Sequence, residues 1–183
     1  MLEKLPHAVG EALSGFRAGL ETIAYRSAFA GTAEGIALTS PAFADGAPMP
    51  ARFTADGAGV APPLAWAGLP VGTAGLALLV EDADAPTPQP LVHLIAPDID
   101  PAPGAVAEGA LSGGELGRNS VLQTGWLPPD PPSGHGTHRY CFQLYALSAA
   151  LAVPGGLGRS GLIEAMRGRV LAKGLLIGTY ARP

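Results

Sequence analysis

Two polar clusters interrupt apolar stretches of this sequence, and one further polar residue stands alone in another. The first cluster, Glu81-Asp82-Ala83-Asp84-Ala85-Pro86, directly follows the apolar run from Gly75 to Val80. Its plainest role is a charged turn at a sheet rim; the other is to hold a histidine or a ligand. Asp82 and Asp84 are two apart, so extended backbone turns both to one side. Ala85–Pro86 is an X–Pro bond, a type that takes the cis form in about 5–6% of cases. The second cluster is the Pro/Gly-rich loop 125–137, which leads into His138-Arg139-Tyr140. Prolines fix such a loop in advance, and glycines let backbone N–H groups approach a ligand. His138 and Tyr140 share a face at its exit and could donate to an anion. The lone residue is His93, inside Leu91-Val92-His93-Leu94-Ile95. A single strand histidine is usually a satisfied core or rim residue. If His93 and His138 meet Asp82, however, the carboxylate fixes a ring's tautomer and raises its pKa. The ring then becomes a donor to phosphate or carboxylate.

Other chemistries find less support. No Gly-x-Ser-x-Gly elbow, His-Glu-x-x-His motif or Walker-type loop is present. Ser133 is the one loop serine that could serve a hydrolase, and a loop serine is ordinarily turn chemistry. Cys141 falls on the strand face opposite His138, and as the single cysteine it excludes a disulfide framework and a multi-cysteine zinc site. His135 and His138 are three apart, but with Asp82 and Asp84 they make no established ligand set, so no metal and no cofactor are expected.

The elements that must position these residues are mostly short strands. Candidates are 36–39, 51–54, 63–66, 75–81, 91–96, 139–147 and 174–180, separated by Pro/Gly clusters, which predicts an all-β sandwich or barrel. The 75–80 run is apolar at successive positions, so both its faces should be covered. From His138 the residues alternate, with His138, Tyr140, Phe142 and Leu144 on one face. Ser160 to Ala172 reads as a helix, with Ser160 as its cap and Arg167 and Arg169 in its last turn. Residues 1–26 place Leu2, Leu5, Val9, Leu13, Phe16, Leu20 and Ile23 at helical steps, which predicts an amphipathic helix. Pro6 suits its first turn. Gly10, Gly15 and Gly19 each weaken it by up to about 1 kcal/mol, so packing must hold it, on its own domain or on a second copy. A homodimer through this helix is expected. Its polar face is not basic, which disfavours a membrane-surface role.

Composition agrees. Among 183 residues there are 26 glycines and 19 prolines, yet 48% are hydrophobic and only 14% charged, so the chain can bury a core. A net charge of −4 gives no basic footprint for nucleic acid. No apolar run is long enough to cross a bilayer, and charges interrupt any secretory signal near the start. The expectation is a cytoplasmic protein, with a helical extension over 1–30 and a β domain over 31–183.

In their order, Leu38-Thr-Ser-Pro-Ala-Phe43, Asp56-Gly57, Pro62-Pro63-Leu64-Ala65-Trp66, Glu81 to Pro86, His93, Gly117-Arg118-Asn119 and Pro131 to Tyr140 resemble the phosphatidylethanolamine-binding protein family, and more narrowly its bacterial YbhB/YbcL, or Raf kinase inhibitor-like, branch. The resemblance runs from about residue 36 to Arg182. It implies a mainly β fold: a sandwich of two mostly antiparallel sheets with a Greek-key connection and a few peripheral helices. It also implies a small pocket for phosphate-like groups, in which Asp82, His93, His138 and Tyr140 take the polar positions. Pro86, commonly preceded by a cis bond, and the wall prolines Pro131 and Pro132 complete it. Four features depart from the pattern: Ala83 for proline, Val92 for a tryptophan at the rim, Asp130 for glycine, and a short 86–93 segment that should open the mouth. Asp130 should repel an anion unless it points to solvent. The implied function is binding of a small anion or phosphate group, strengthening as the imidazoles protonate near pH 6–7. The alternatives are a weak hydrolase, or a kinase or protease inhibitor acting through protein contacts. Stable membrane insertion and nucleic acid are not expected.

Overall fold

Gly75–Asp82 (β3) is buried at every position, as its uninterrupted apolar run requires. In the computed structural model, which describes residues 7–102, 104–112 and 115–182, this strand lies inside a four-stranded antiparallel sheet of order β4-β3-β6-β7. Its companions are Leu91–Ile99 (β4), His138–Leu147 (β6) and Val170–Tyr180 (β7). A second antiparallel sheet of order β1-β2-β5 is built from Ala37–Thr39 (β1), Leu64–Ala67 (β2) and Ala105–Val106 (β5). Leu38, Leu64 and Trp66 of the small sheet pack against Leu78, Leu94, Phe142 and Leu176 of the large one. The far face of the large sheet buries Leu79, Ile95 and Tyr145 under Phe29 and under Leu162 and Met166 of the helix Arg159–Met166 (α2). Both faces of β3 are therefore covered. Each fully buried Leu or Ile contributes about 1.5–3 kcal/mol.

Three expectations need correction. Residues 51–54 are not a strand: Ala51–Phe53 form a 3-10 turn after Pro50, and the Thr54 hydroxyl donates to the Ala51 carbonyl. The C-terminal helix ends at Met166, and β7 begins at Val170. Gly168, at φ 71, supplies the left-handed residue that ends it, and Gly158 rather than Ser160 holds the N-cap position. Among the described residues the amphipathic helix covers His7–Leu13 (α1), and the start of its stripe, Leu2 and Leu5, lies outside them. After Gly15 the chain leaves helical geometry, and Gly19 sits at φ 96. The amides of Ala18 and Gly19 donate instead to the carbonyls of Ala85 and Ala83. The stripe is split accordingly: Ile23 is fully buried, whereas Val9 and Phe16 are exposed.

Buried charges pin this N-terminal segment to its own domain. Glu81 accepts from Arg159 Nε (2.6 Å), the Ala24 amide and Gln143 Nε2 (both 2.8 Å). Lys173 Nζ donates to the carbonyls of Tyr25 and Phe29 and lies 4.0 Å from the centre of the Tyr25 ring.

Candidate functional site: a cavity at the end of the large sheet

Strand register brings the polar residues together. Asp82, the last residue of β3, pairs with Leu91 of β4 on one side and Tyr140 of β6 on the other. Val80 opposes Leu94 and Glu81 opposes Val92, so His93 is the extra residue of a β-bulge. Bulges re-aim side chains in this way beside functional sites. His93, Asp82, His138 and Tyr140 thus converge on one cavity of about 190 Å³. Pro86, Asp130 and Pro131 line it as well, and so do Ala85, Leu91, Val121, Leu127 and Pro128, which the sequence did not single out. Pro132 does not line it. It is buried, and its carbonyl closes the turn that carries the His135 amide. The Ala85–Pro86 bond is trans, since the described residues contain no cis peptide.

The two aspartates do not share a side. The chain turns at Ala83–Asp84, where the Asp84 amide donates back to Asp82 Oδ1 at 2.8 Å. Asp84 then faces away, toward a two-pronged Arg139 (2.7 Å at Nε and at Nη2) and Arg17 (2.9 Å). Burial works against that carboxylate, yet Arg139 and Arg17 hold its pKa down at about 2.

Asp82 begins a chain of three hydrogen bonds whose polarity can be worked out. His138 Nδ1 lies 2.7 Å from Asp82 Oδ2, and His138 Nε2 lies 2.7 Å from His135 Nδ1. His135 Nε2 faces the carbonyls of Leu13 (2.9 Å) and Phe16 (3.2 Å), which only accept, so Nε2 carries the proton. Burial first, and then the neighbouring His138, lowers the His135 pKa, which keeps that ring neutral. Its Nδ1 must therefore accept, and His138 Nε2 must donate. His138 Nδ1, against a carboxylate, donates too. Both His138 nitrogens are thus committed, one to Asp82 and one to His135.

His93 has the opposite character. Its Nδ1 donates to the Leu127 carbonyl at 2.6 Å, while the Leu127 amide donates to the His93 carbonyl at 2.8 Å. Its Nε2 is buried without a hydrogen-bond partner, and so is the Tyr140 hydroxyl. The two rings meet edge to face at 5.0 Å. Burial lowers the His93 pKa, against the pull of Asp82 and Asp130. Burial, reinforced by Asp82, raises that of Tyr140 well above its ordinary value, so it remains a phenol.

Asp130 neither points freely to solvent nor stands alone against the cavity: its carboxylate meets the Arg182 guanidinium. Arg182, with a side chain only 9% exposed, also grips Asp56 (2.6 and 2.7 Å) and donates to the Pro131 carbonyl. Val92, expected at the rim, packs on the opposite face of the sheet with Leu79 and Ile95. Sequence reasoning weighed His135 only as a metal ligand and missed Arg17 and Arg182. The one signal for His135 was its place three residues before His138. Nothing local marked the two arginines. Among the described residues no three of His, Cys, Asp and Glu are grouped to hold a metal ion, and no helix is long and apolar enough to cross a membrane.

Comparison with known proteins fits this geometry. The family profile described as phosphatidylethanolamine-binding protein matches residues 39–181. A Mycobacterium tuberculosis protein provisionally named lipoprotein LppC is 42% identical over 149 residues, which is 81% of this chain and 73% of the relative. A UPF0098 protein of Chlamydia muridarum is 38% identical over 147 residues, covering 78% and 97% of the two chains. The crystal structure of a phosphatidylethanolamine-binding protein homologue from Chlamydia trachomatis superposes with a TM-score of 0.77 at 35% identity, covering 82% of this chain and all of that one. Escherichia coli YbcL shares the fold with a TM-score of 0.74 at 23% identity, covering 81% and 99%. A profile match over most of the length, together with relatives this similar across nearly their whole chains, makes this chain a member of the phosphatidylethanolamine-binding protein family.

Proposed function

We propose that the cavity binds a small anionic group of the phosphate type, as a binding protein rather than an enzyme. The observation that carries this reading is the pair of orphaned atoms, His93 Nε2 and the Tyr140 hydroxyl, buried in one cavity. Leaving a buried polar group unsatisfied costs about 1–3 kcal/mol. A ligand that satisfies both recovers that cost, and the surrounding prolines and leucines exclude water from it. No nucleophile serves the site among the described residues. Burial pushes the Cys141 thiol up to about 12, and it packs with Ile23 and Ala83 away from the cavity. Because burial holds His93 below the ordinary histidine range, the strengthening that comes with its protonation belongs to the acid side of about pH 6.5. Calorimetric titration with inorganic phosphate at pH 6 and pH 8 tests this. Tighter binding at pH 6 is expected, with Tyr140→Phe weakening it about fivefold for one lost hydrogen bond. No heat at millimolar phosphate at either pH refutes the reading.

A cytoplasmic location goes with this reading, since the single cysteine fits a reducing compartment. A mycobacterial relative carries a lipoprotein name, so fractionation of cells expressing the full chain decides, and recovery with membranes refutes it.

A further inference from the structure

The donor and acceptor sense of the cavity narrows its ligand class, given the anion reading above. His138 is used up at both nitrogens by Asp82 and His135. His93 spends its proton on the Leu127 carbonyl, so its orphaned Nε2 offers a lone pair rather than a proton. The groups facing His93 are Asp82 from β3, His138 and Tyr140 from β6, and Asp130 from the loop, the last paired with Arg182 from the C-terminal end. Of these, Tyr140 alone has an uncommitted donor. Two carboxylates border the space, Asp82 held by His138 and Asp130 by Arg182.

We infer that the cavity selects a small-molecule phosphomonoester carrying one proton over a phosphodiester. A monoester monoanion presents one P–OH and two anionic oxygens. Its P–OH donates to His93 Nε2, and a neighbouring oxygen accepts from the Tyr140 hydroxyl, so both orphaned atoms are satisfied. Whether the proton stays on phosphorus-bound oxygen or passes to Nε2, the complex holds the same atoms and the same charge. A phosphodiester has no P–OH. It leaves Nε2 unsatisfied, or must draw a proton from solvent onto a buried ring. The second ionisation of a phosphomonoester lies near pH 6, so the required form is abundant at pH 6 and scarce at pH 8.

Phosphoethanolamine and glycerophosphoethanolamine share the ethanolamine group and differ in being monoester and diester. Both are titrated calorimetrically into the full chain at pH 6 and pH 8, beside inorganic phosphate. The expected result is monoester affinity at least tenfold above diester affinity at pH 6, and a drop in monoester affinity of tenfold or more between pH 6 and pH 8. At pH 8, buffers of different ionisation heat should report uptake of about one proton per bound monoester. His93→Asn, which keeps a donor for the Leu127 carbonyl but removes Nε2, should erase the discrimination between esters. Equal or tighter diester binding overturns this inference and leaves the anion reading standing. Binding of neither ester nor phosphate overturns the anion reading and this inference with it.

Discussion

Replacing Asp84 by asparagine removes the carboxylate that ties the turn after β3 to Arg139 of β6 and to Arg17. Asp84 is fully buried, accepts from the Arg139 amide at 2.9 Å as well as from its guanidinium, and pairs with Arg17. Its folded-state pKa of about 2, against an ordinary 3.8, means that the folded chain favours the charged form. A tenfold change in proton affinity corresponds to about 1.4 kcal/mol, so the charge contributes about 2 kcal/mol at neutral pH. The folded pKa is depressed, so this stability is fully present above pH ~4 and is lost as pH falls through ~2. In a chain of this size, about 2 kcal/mol corresponds to a melting-temperature loss of about 4–8 °C. Urea unfolding of the parent and Asp84→Asn at pH 7, 5, 3 and 2 reads the difference directly. A gap of about 2 kcal/mol at pH 7 and 5 should close across pH 4 to 2. Equal midpoints at pH 7, or a gap that persists undiminished at pH 2, refute the ion-pair account.

Arg17 donates to the carbonyls of Thr137 (2.9 Å) and His135 (3.1 Å), so Arg17→Ala should leave global stability within about 1 kcal/mol while accelerating amide exchange of His135, whose N–H bonds Pro132; unchanged exchange counts against its tie to this loop. The homodimer expected from the N-terminal stripe now rests on Val9 and Phe16, which are 38% and 71% exposed. Sedimentation at tens of micromolar should find a dimer that Phe16→Ser shifts toward monomer, and a monomeric parent chain refutes it.

Strands with strong patterns were legible because a single force decided them. The run at 75–80 has no polar face to expose, and the alternation from His138 has one answer for each side chain. Ala105–Val106 escaped notice because two residues carry no period. The 51–54 segment, Ala-Arg-Phe-Thr, misled because four residues cannot report their own geometry, and there Pro50 and the Thr54 hydroxyl decide. The helix expected over 1–26 failed for a related reason. Its stripe was real, but Gly15 and Gly19 let the backbone turn so that Ala18 and Gly19 could bond the 83–85 turn.

The residue types of the site could be read from sequence, but their polarity could not, and the polarity decides what the site accepts. The carbonyls of Leu127, Leu13 and Phe16 set the direction of every proton in the two histidine systems. Any residue could supply those carbonyls, so no pattern of side chains announces them. Moving the Leu127 carbonyl away would let His93 carry its proton on Nε2 and turn an acceptor into a donor. Undocking α1 would release His135 Nε2 and free the His135–His138 bond to reverse. Two members of the family with the same Asp, His, His and Tyr can therefore differ in whether the cavity gives a hydrogen bond or takes one. In this chain the N-terminal segment, which precedes the family match at residue 39, supplies the carbonyls that commit His138. His93 is left as the atom that a ligand must satisfy.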